Sequence, residues 1–249
     1  MNTLLVDVGN TRVKWAVIKG IRLGAASAIA HEGRPAAFAS LMKRLRGVTR
    51  VIAVSVAGEK LDAALARAVR ARFGIRVEFV ASQRRAGGVT NGYRDVWRLG
   101  ADRWVAAIGA HAMAGNRDVL FANVGTALTV DLVTASGRHR GGAIIPGPAT
   151  MVESLLLGTH GIRRRARGLR ASSRSLFAPD TASALAAGSE FAAAAFIDRA
   201  AGEAALLLGR RPLVLLSGGG APALRRRLRQ PVRVVPDLVL RGLAVLSFE

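Results

Sequence analysis

The chain contains no cysteine, which excludes disulfides, thiolate catalysis and cysteine-based zinc sites together. Lysine occurs only at positions 14, 19, 43 and 60, and 16 acidic residues face 37 basic ones, so arginine carries nearly all of a formal charge of +21. Aromatic residues make up 5% of the chain, too few to interleave with basic side chains as stacking platforms for nucleic acid do. No window reaches the roughly 18 uninterrupted apolar residues of a membrane span. The first residues also lack the charged, apolar and cleavage segments of a secretory signal. The four histidines, His31, His111, His139 and His160, show no metal-ligand spacing. The expectation is a cytoplasmic protein with no membrane partner, and nucleic acid is not an expected partner either.

What is present is an apolar chain: 51% hydrophobic residues and a positive mean hydropathy exclude a disordered protein. Arginine and alanine are enriched together, as a GC-rich coding sequence makes them. The charge therefore reads as a solvated basic surface, on helix faces (Arg67, Arg70, Arg72) and in a loop (Arg163, Arg164, Arg165, Arg167). Such a surface still attracts phosphorylated substrates. A length of 249 residues accommodates one large domain or two of about 120 residues.

Residues 1–18 organise the rest. Leu4, Leu5 and Val6 form an apolar run ending on Asp7, then Gly9 and Asn10 mark a turn, and Val13, Trp15 and Val17 alternate with Arg12, Lys14 and Ala16. The pattern predicts a β-hairpin. Gly9 allows close backbone approach, and the turn amides with Asn10 and Thr11 can donate to phosphate oxygens. Asp7 is suited to a hydrated Mg²⁺, and Lys14 to an anion. An ordinary hairpin with a surface aspartate has the same local pattern. Residues 118–133 repeat it: aligning Gly9 with Gly125 sets Asp7 opposite Asn123, Val8 opposite Val124 and Asn10 opposite Thr126. Two such hairpins half a chain apart predict a duplicated α/β domain, split as 1–115 and 116–249, with a nucleotide clamped between the halves.

Along the first half, a third strand is expected over 23–30, helices over 35–45 and 61–73, and strands over 51–55 and 75–80. Residues 91–100 read as a loop, and a helix opens at Ala101 or Asp102 and runs to Ala114. An aspartate in a first helical turn is ordinarily a capping residue. Here Gly100, Ala101, Asp102 and Arg103 place a carboxylate beside a guanidinium near Tyr93, the minimum equipment for binding a small acid and activating a hydroxyl. In the second half, a strand over 138–145 and a helix over 148–157 precede residues 158–175, which read as a mobile loop rich in Arg, Gly and Ser. One long helix, or two abutting, is expected over 181–208. A strand over 213–216 then runs into Gly218, Gly219 and Gly220, a glycine-rich turn on which a base or ribose can lie.

Taken in order, 7–11 (DVGNT), 91–93 (NGY), 99–103 (LGADR), 125–127 (GTA), 141–147 (GGAIIPG) and 217–219 (SGG) resemble the type III pantothenate kinases of the acetate kinase, sugar kinase and actin superfamily. The family includes proteins first described as accessory factors of virulence-gene expression. The resemblance implies duplicated actin-like (ribonuclease H-like) domains with mixed sheets flanked by helices, and ATP-dependent phosphorylation of pantothenate. It implies ATP contacts at Asp7, Val8, Gly9, Asn10, Thr11, Arg12, Val13, Lys14, Thr126, Gly218 and Gly219, with Mg²⁺ near Asp7 through water. Pantothenate would lie among Tyr93, Gly100, Ala101, Asp102, Arg103 and Thr181, with Asp102 the base, and a homodimer would complete the acceptor site. Asn123 stands where many members carry an aspartate for a monovalent cation, so K⁺ or NH₄⁺ is not expected to be required. Val96 replaces a frequent proline. Another small-molecule phosphotransferase of the superfamily and a non-catalytic basic transcription accessory factor are the rival readings.

Overall fold

In the computed structural model, which describes residues 2–169, 171 and 175–249, Asn2–Val8 (β1) and Arg12–Lys19 (β2) form the expected antiparallel hairpin, with Val8 paired to Val13 at its tip. Met1 lies outside the described residues. Leu4, Leu5, Val6 and Val8 are all fully buried, as a strand covered on both faces requires. The expected third strand is split into Arg22–Leu23 (β3) and Ser27–Ala30 (β4), both pairing with β2. The break falls at Gly24, whose amide reaches back to the Val17 carbonyl at 2.9 Å.

Ala36–Lys43 (α1), Arg50–Ser55 (β5), Glu59–Phe73 (α2) and Val77–Phe79 (β6) follow. Helix α2 buries Leu61, Ala64, Leu65 and Val69, carries acids in its first turn and arginines in its last, and stops at Gly74 in the left-handed region (φ 73°). Strand β5 runs parallel to β1, and β6 parallel to β5, giving the sheet order β3-β2-β1-β5-β6 with β4 also on β2. Phe38, Leu41, Leu65 and Val69 pack with the apolar residues of β1 and β5 in one core. A small hairpin of Arg85–Ala86 (β7) and Val89–Thr90 (β8) leads into the 91–100 loop, and Ala101–Ala114 (α3) follows.

The second sheet repeats the plan. Val119–Val124 (β9), Ala127–Val133 (β10) and His139–Pro146 (β11) are joined by Leu213–Ser217 (β12), parallel to β9, and Arg233–Val234 (β13), parallel to β12, in the order β11-β10-β9-β12-β13. The duplication extends to single bonds. The Val8 carbonyl accepts from Val56 N–H at 3.0 Å after β5, and the Val124 carbonyl accepts from Gly220 N–H at 3.1 Å after β12. Helices Pro148–Gly158 (α4), His160–Ala166 (α5), Thr181–Leu208 (α6), Ala221–Arg225 (α7) and Leu238–Leu246 (α8) complete the chain.

The loop expected over 158–175 is helical in its first part, because arginine and alanine are good helix formers and Arg163 donates to the Leu156 and Leu157 carbonyls left open at the end of α4. Residues 170 and 172–174 of that stretch lie outside the described residues.

By contacts, one compact unit comprises residues 1–116, 133–141 and 237–249, and the other residues 117–132 and 142–236. Within the first, α3 and α8 cross through glycines. A Cβ at Gly109 would stand 2.6 Å from the Leu238 carbonyl oxygen, and one at Gly242 would overlap the Val105 carbonyl. Among the described residues, no helix is long and apolar enough to cross a membrane.

Candidate active site

The tip of the first hairpin is closed by Gly9 N–H donating to the Arg12 carbonyl at 3.0 Å. Asn10, Thr11 and Arg12 are exposed there, while Val8 and Val13 are buried. The side chains of the two valines therefore belong to the core, and only their backbone can face a ligand. His31, which no spacing argument singled out, holds the turn from outside: its Nε2 meets the Gly9 carbonyl at 2.7 Å and its backbone amide meets that of Thr11 at 3.1 Å.

Asp7 and Lys14 are cross-strand partners, and Lys14 Nζ lies 4.0 Å from Asp237 Oδ1. Asp237 heads α8 in left-handed backbone (φ 58°). Burial pushes the Asp7 carboxyl up to about 7; Lys14 opposes the shift, and Asp102 and Asp237 add to it. A carboxylate whose charge is penalised chiefly by burial, with two further aspartates nearby, is one that a bound cation would stabilise. Among the described residues no group of three or more His, Cys, Asp or Glu could hold a metal by itself. The donor set fits Mg²⁺, which binds through one or two carboxylates, water and substrate phosphates. Among these charged groups, Asp237 had no sequence signal: it stands in a turn far along the chain with no motif around it.

At the start of α3, Gly100 is the N-cap and offers no side chain. Asp102 Oδ1 accepts from Arg103 N–H at 2.8 Å, so the carboxylate caps the turn with one oxygen. Arg103, 7% exposed, donates from Nη1 to the Tyr93 hydroxyl at 3.0 Å and sits 5.7 Å from the ring centroid. Tyr93 stacks on His139 at 6.0 Å. Its backbone is pinned on both sides, by Tyr93 N–H to Asn91 Oδ1 at 2.9 Å and by Arg84 donating to the Tyr93 and Arg94 carbonyls at 3.1 and 3.0 Å. Gly92 passes so close to the His139 carbonyl that a Cβ would overlap it. The structure thus brings Tyr93, Asp102 and Arg103 together, and the electrostatic influence of Asp102 on Asp7 links them to the first hairpin. Arg84 and His139 were not legible as site residues.

In the second unit, Gly125 N–H bonds the Ala127 carbonyl at 2.9 Å, a tighter turn than the first hairpin has. The Thr126 carbonyl is taken by Gly147 N–H at 2.8 Å and by the Thr150 hydroxyl at 2.7 Å. Asn123 is half-buried and pairs in register with Ser217 across β9 and β12. Thr181 is the first residue of α6, behind Asp180, whose carboxylate caps Ser183 N–H at 2.9 Å. Gly218 (φ 94°) lies against the Val124 carbonyl, where a Cβ would overlap, whereas Gly219 is exposed with nothing within 4 Å. The two glycines separate fold from binding. Gly218→Ala is expected to lower the melting temperature by several degrees, as an overlap in a strained conformation does. Gly219→Ala is expected to leave it unchanged and to raise the KM for ATP if nucleotide lies on that turn. Thermal melts and steady-state kinetics of the pair check both.

Comparison with known proteins identifies the family and the fold. The family model for type III pantothenate kinase matches residues 3–203. A type III pantothenate kinase of Aromatoleum aromaticum is 40% identical over 247 residues, covering 99% of this chain and 98% of that protein. Among solved structures, a putative 2-dehydro-3-deoxygalactonokinase from Sinorhizobium meliloti superposes with TM-score 0.59 at 17% identity, over 99% of this chain and 97% of that one. A conserved putative Baf family transcriptional activator from Campylobacter jejuni does so with TM-score 0.56 at 18% identity, over 98% of each chain. At those identities the structural likeness carries the fold, two mixed sheets flanked by helices in the actin-like manner, and nothing about substrate.

Proposed function

The chain belongs to the type III pantothenate kinase family, and from that premise we propose that it transfers the γ-phosphoryl group of ATP to the primary hydroxyl of pantothenate, giving 4′-phosphopantothenate, the first step of coenzyme A biosynthesis. The observation that carries the residue assignment is the grouping of Asp7, Lys14 and Asp102 with the Arg103–Tyr93 pair in one unit. Phosphoryl transfer needs positioning and charge neutralisation more than covalent chemistry. In this reading Asp102 takes the hydroxyl proton, and Arg103 and Tyr93 hold the acid end of pantothenate. In the first unit the turn amides at 9–12 and Lys14 are assigned to ATP phosphates, and in the second unit Thr126 and the 218–219 turn are assigned to ATP. Mg²⁺, held through water at Asp7, would neutralise the phosphate charge when bound.

A coupled assay with ATP, Mg²⁺ and a panel of hydroxy acids and sugars tests the assignment. Turnover on pantothenate well above every other acceptor is the expected result, and a sugar preferred over pantothenate would transfer the chain to another phosphotransferase class. Activity is further expected without added K⁺ or NH₄⁺. Asn123 offers one neutral oxygen where a carboxylate would supply charge, and ligand charge governs the affinity of hard cations. Initial rates in Tris buffer with and without KCl at matched ionic strength measure this; tenfold activation by K⁺ but not choline would overturn it.

The duplicated halves are assigned to 1–115 and 116–249, supported by the matched Val8 and Val124 carbonyl bonds. A homodimer with a shared acceptor site is supported by helix α4, which buries none of its residues and exposes Leu155 and Leu157, and by exposed Leu206 and Leu207 on α6. A cytoplasmic location follows from the pathway and agrees with a chain that has no cysteine.

A further inference from the structure

His31 is 2% exposed, and both its ring nitrogens are engaged with backbone. Gly33 N–H donates to Nδ1 at 3.0 Å, so Nδ1 carries no proton; the ring proton is on Nε2 and is donated to the Gly9 carbonyl at 2.7 Å. The His31 amide also donates to the Thr11 carbonyl at 3.1 Å. Two carbonyls at the tip of the first hairpin are thereby drawn toward one residue. Because each peptide unit is planar and trans, the N–H after a carbonyl points the opposite way. Fixing the Gly9 and Thr11 carbonyls therefore aims the amides of Asn10 and Arg12 away from His31.

The local backbone is bent to make this possible. Glu32 (φ 47°) and Gly33 (φ 71°) are both left-handed, and Arg34 N–H closes on the His31 carbonyl at 2.6 Å. This is the mirror-image turn that ordinarily asks for Gly or Asn at both centres. A glutamate held there is strained, and what the strain achieves is the return of the Gly33 amide to Nδ1, which fixes tautomer and ring orientation.

We propose that His31 is a positioning residue for ATP, presetting the Asn10 and Arg12 amides toward the phosphate oxygens. The inference rests on the reading of the first hairpin as an ATP phosphate turn. Two near-isosteres dissect it: Gln places a donor amide where Nε2 stands, and Asn places an acceptor oxygen where Nδ1 stands but reaches no further. In the full-length protein, His31→Asn is expected to raise both the KM for ATP and the Kd for a fluorescent ATP analogue with Mg²⁺ about tenfold, as the loss of one such hydrogen bond does. The KM for pantothenate and kcat should stay within about threefold, and His31→Gln should restore nucleotide affinity to within about threefold of wild type. Unchanged nucleotide affinity in His31→Asn overturns the proposal. So does a fall in kcat and in affinity for both substrates that tracks the melting temperature across both variants, because that marks a purely structural histidine. Wild-type protein inert toward pantothenate would refute the kinase assignment instead, and the analogue titration would still report on His31.

Discussion

Asp102→Asn is expected to lower kcat by roughly 10²–10⁴-fold while leaving the KM for ATP near its wild-type value. The asymmetry follows from what an amide can and cannot replace in this side chain. One carboxylate oxygen accepts from Arg103 N–H at 2.8 Å, a bond that an asparagine carbonyl can keep, so the start of α3 and the Arg103–Tyr93 pair should survive the change. What asparagine cannot do is accept the hydroxyl proton. A melting temperature within about two degrees of wild type, with turnover lost, is the outcome that identifies the base. Turnover near wild type would remove Asp102 from the chemistry, and loss of the fold would make it a helix cap.

Asp7→Asn is expected to move activity and stability in opposite directions. Without the carboxylate, kcat/KM for Mg-ATP should fall by roughly 10²–10³-fold, the scale of losing a main electrostatic partner of a charged transition state. Stability should rise, and more so at high pH. The folded protein holds the Asp7 proton up to about 7, while the unfolded chain releases it near 3.8. Over that window the folded state binds the extra proton, so the contribution of Asp7 is full below 3.8 and is lost as pH rises through 7. Asparagine does not titrate. The melting-temperature difference in favour of the variant should therefore widen between pH 5 and 8. Mg²⁺ should stabilise the wild type at pH 8 and the variant little. A difference constant with pH would show that the Asp7 carboxyl does not titrate in this range.

The parts legible in the sequence were those written in local pattern. The hairpin at 2–19 follows from alternation about a glycine turn, and its copy at 119–133 from alignment of Gly9 with Gly125. The amphipathic α2 follows from periodicity, and residues 181–208 were legible as one long helix or two abutting; the structure has one, uninterrupted at Gly188. The split at Gly24 was not legible, because a backbone contact to Val17 decides it. Helix α5 was missed because glycine and serine around an arginine run read as loop, while the open carbonyls at the end of α4 supplied its partners. The site divides the same way. Asp7, Tyr93, Asp102 and Arg103 stand in short motifs whose residue types announce chemistry. His31 and Arg84 act on backbone carbonyls, which any sequence provides. Asp237 reaches Lys14 across more than two hundred residues, and no local reading connects them.

The crossing of α3 and α8 through Gly109 and Gly242 bears on how the protein is made. Helix α3 carries Asp102, yet the helix it packs against, α8, is synthesised more than a hundred residues later. Domains generally fold as units during synthesis, amino-terminal first. Here the first unit combines residues 1–116 with residues 133–141 and 237–249, so residues 1–116 emerge long before they can finish packing. Until α8 has been made, the glycine side of α3 lacks its packing partner and Lys14 lacks Asp237. A chain that terminates before residue 237 therefore never acquires the α8 surface against which α3 packs, however much of its sequence is intact.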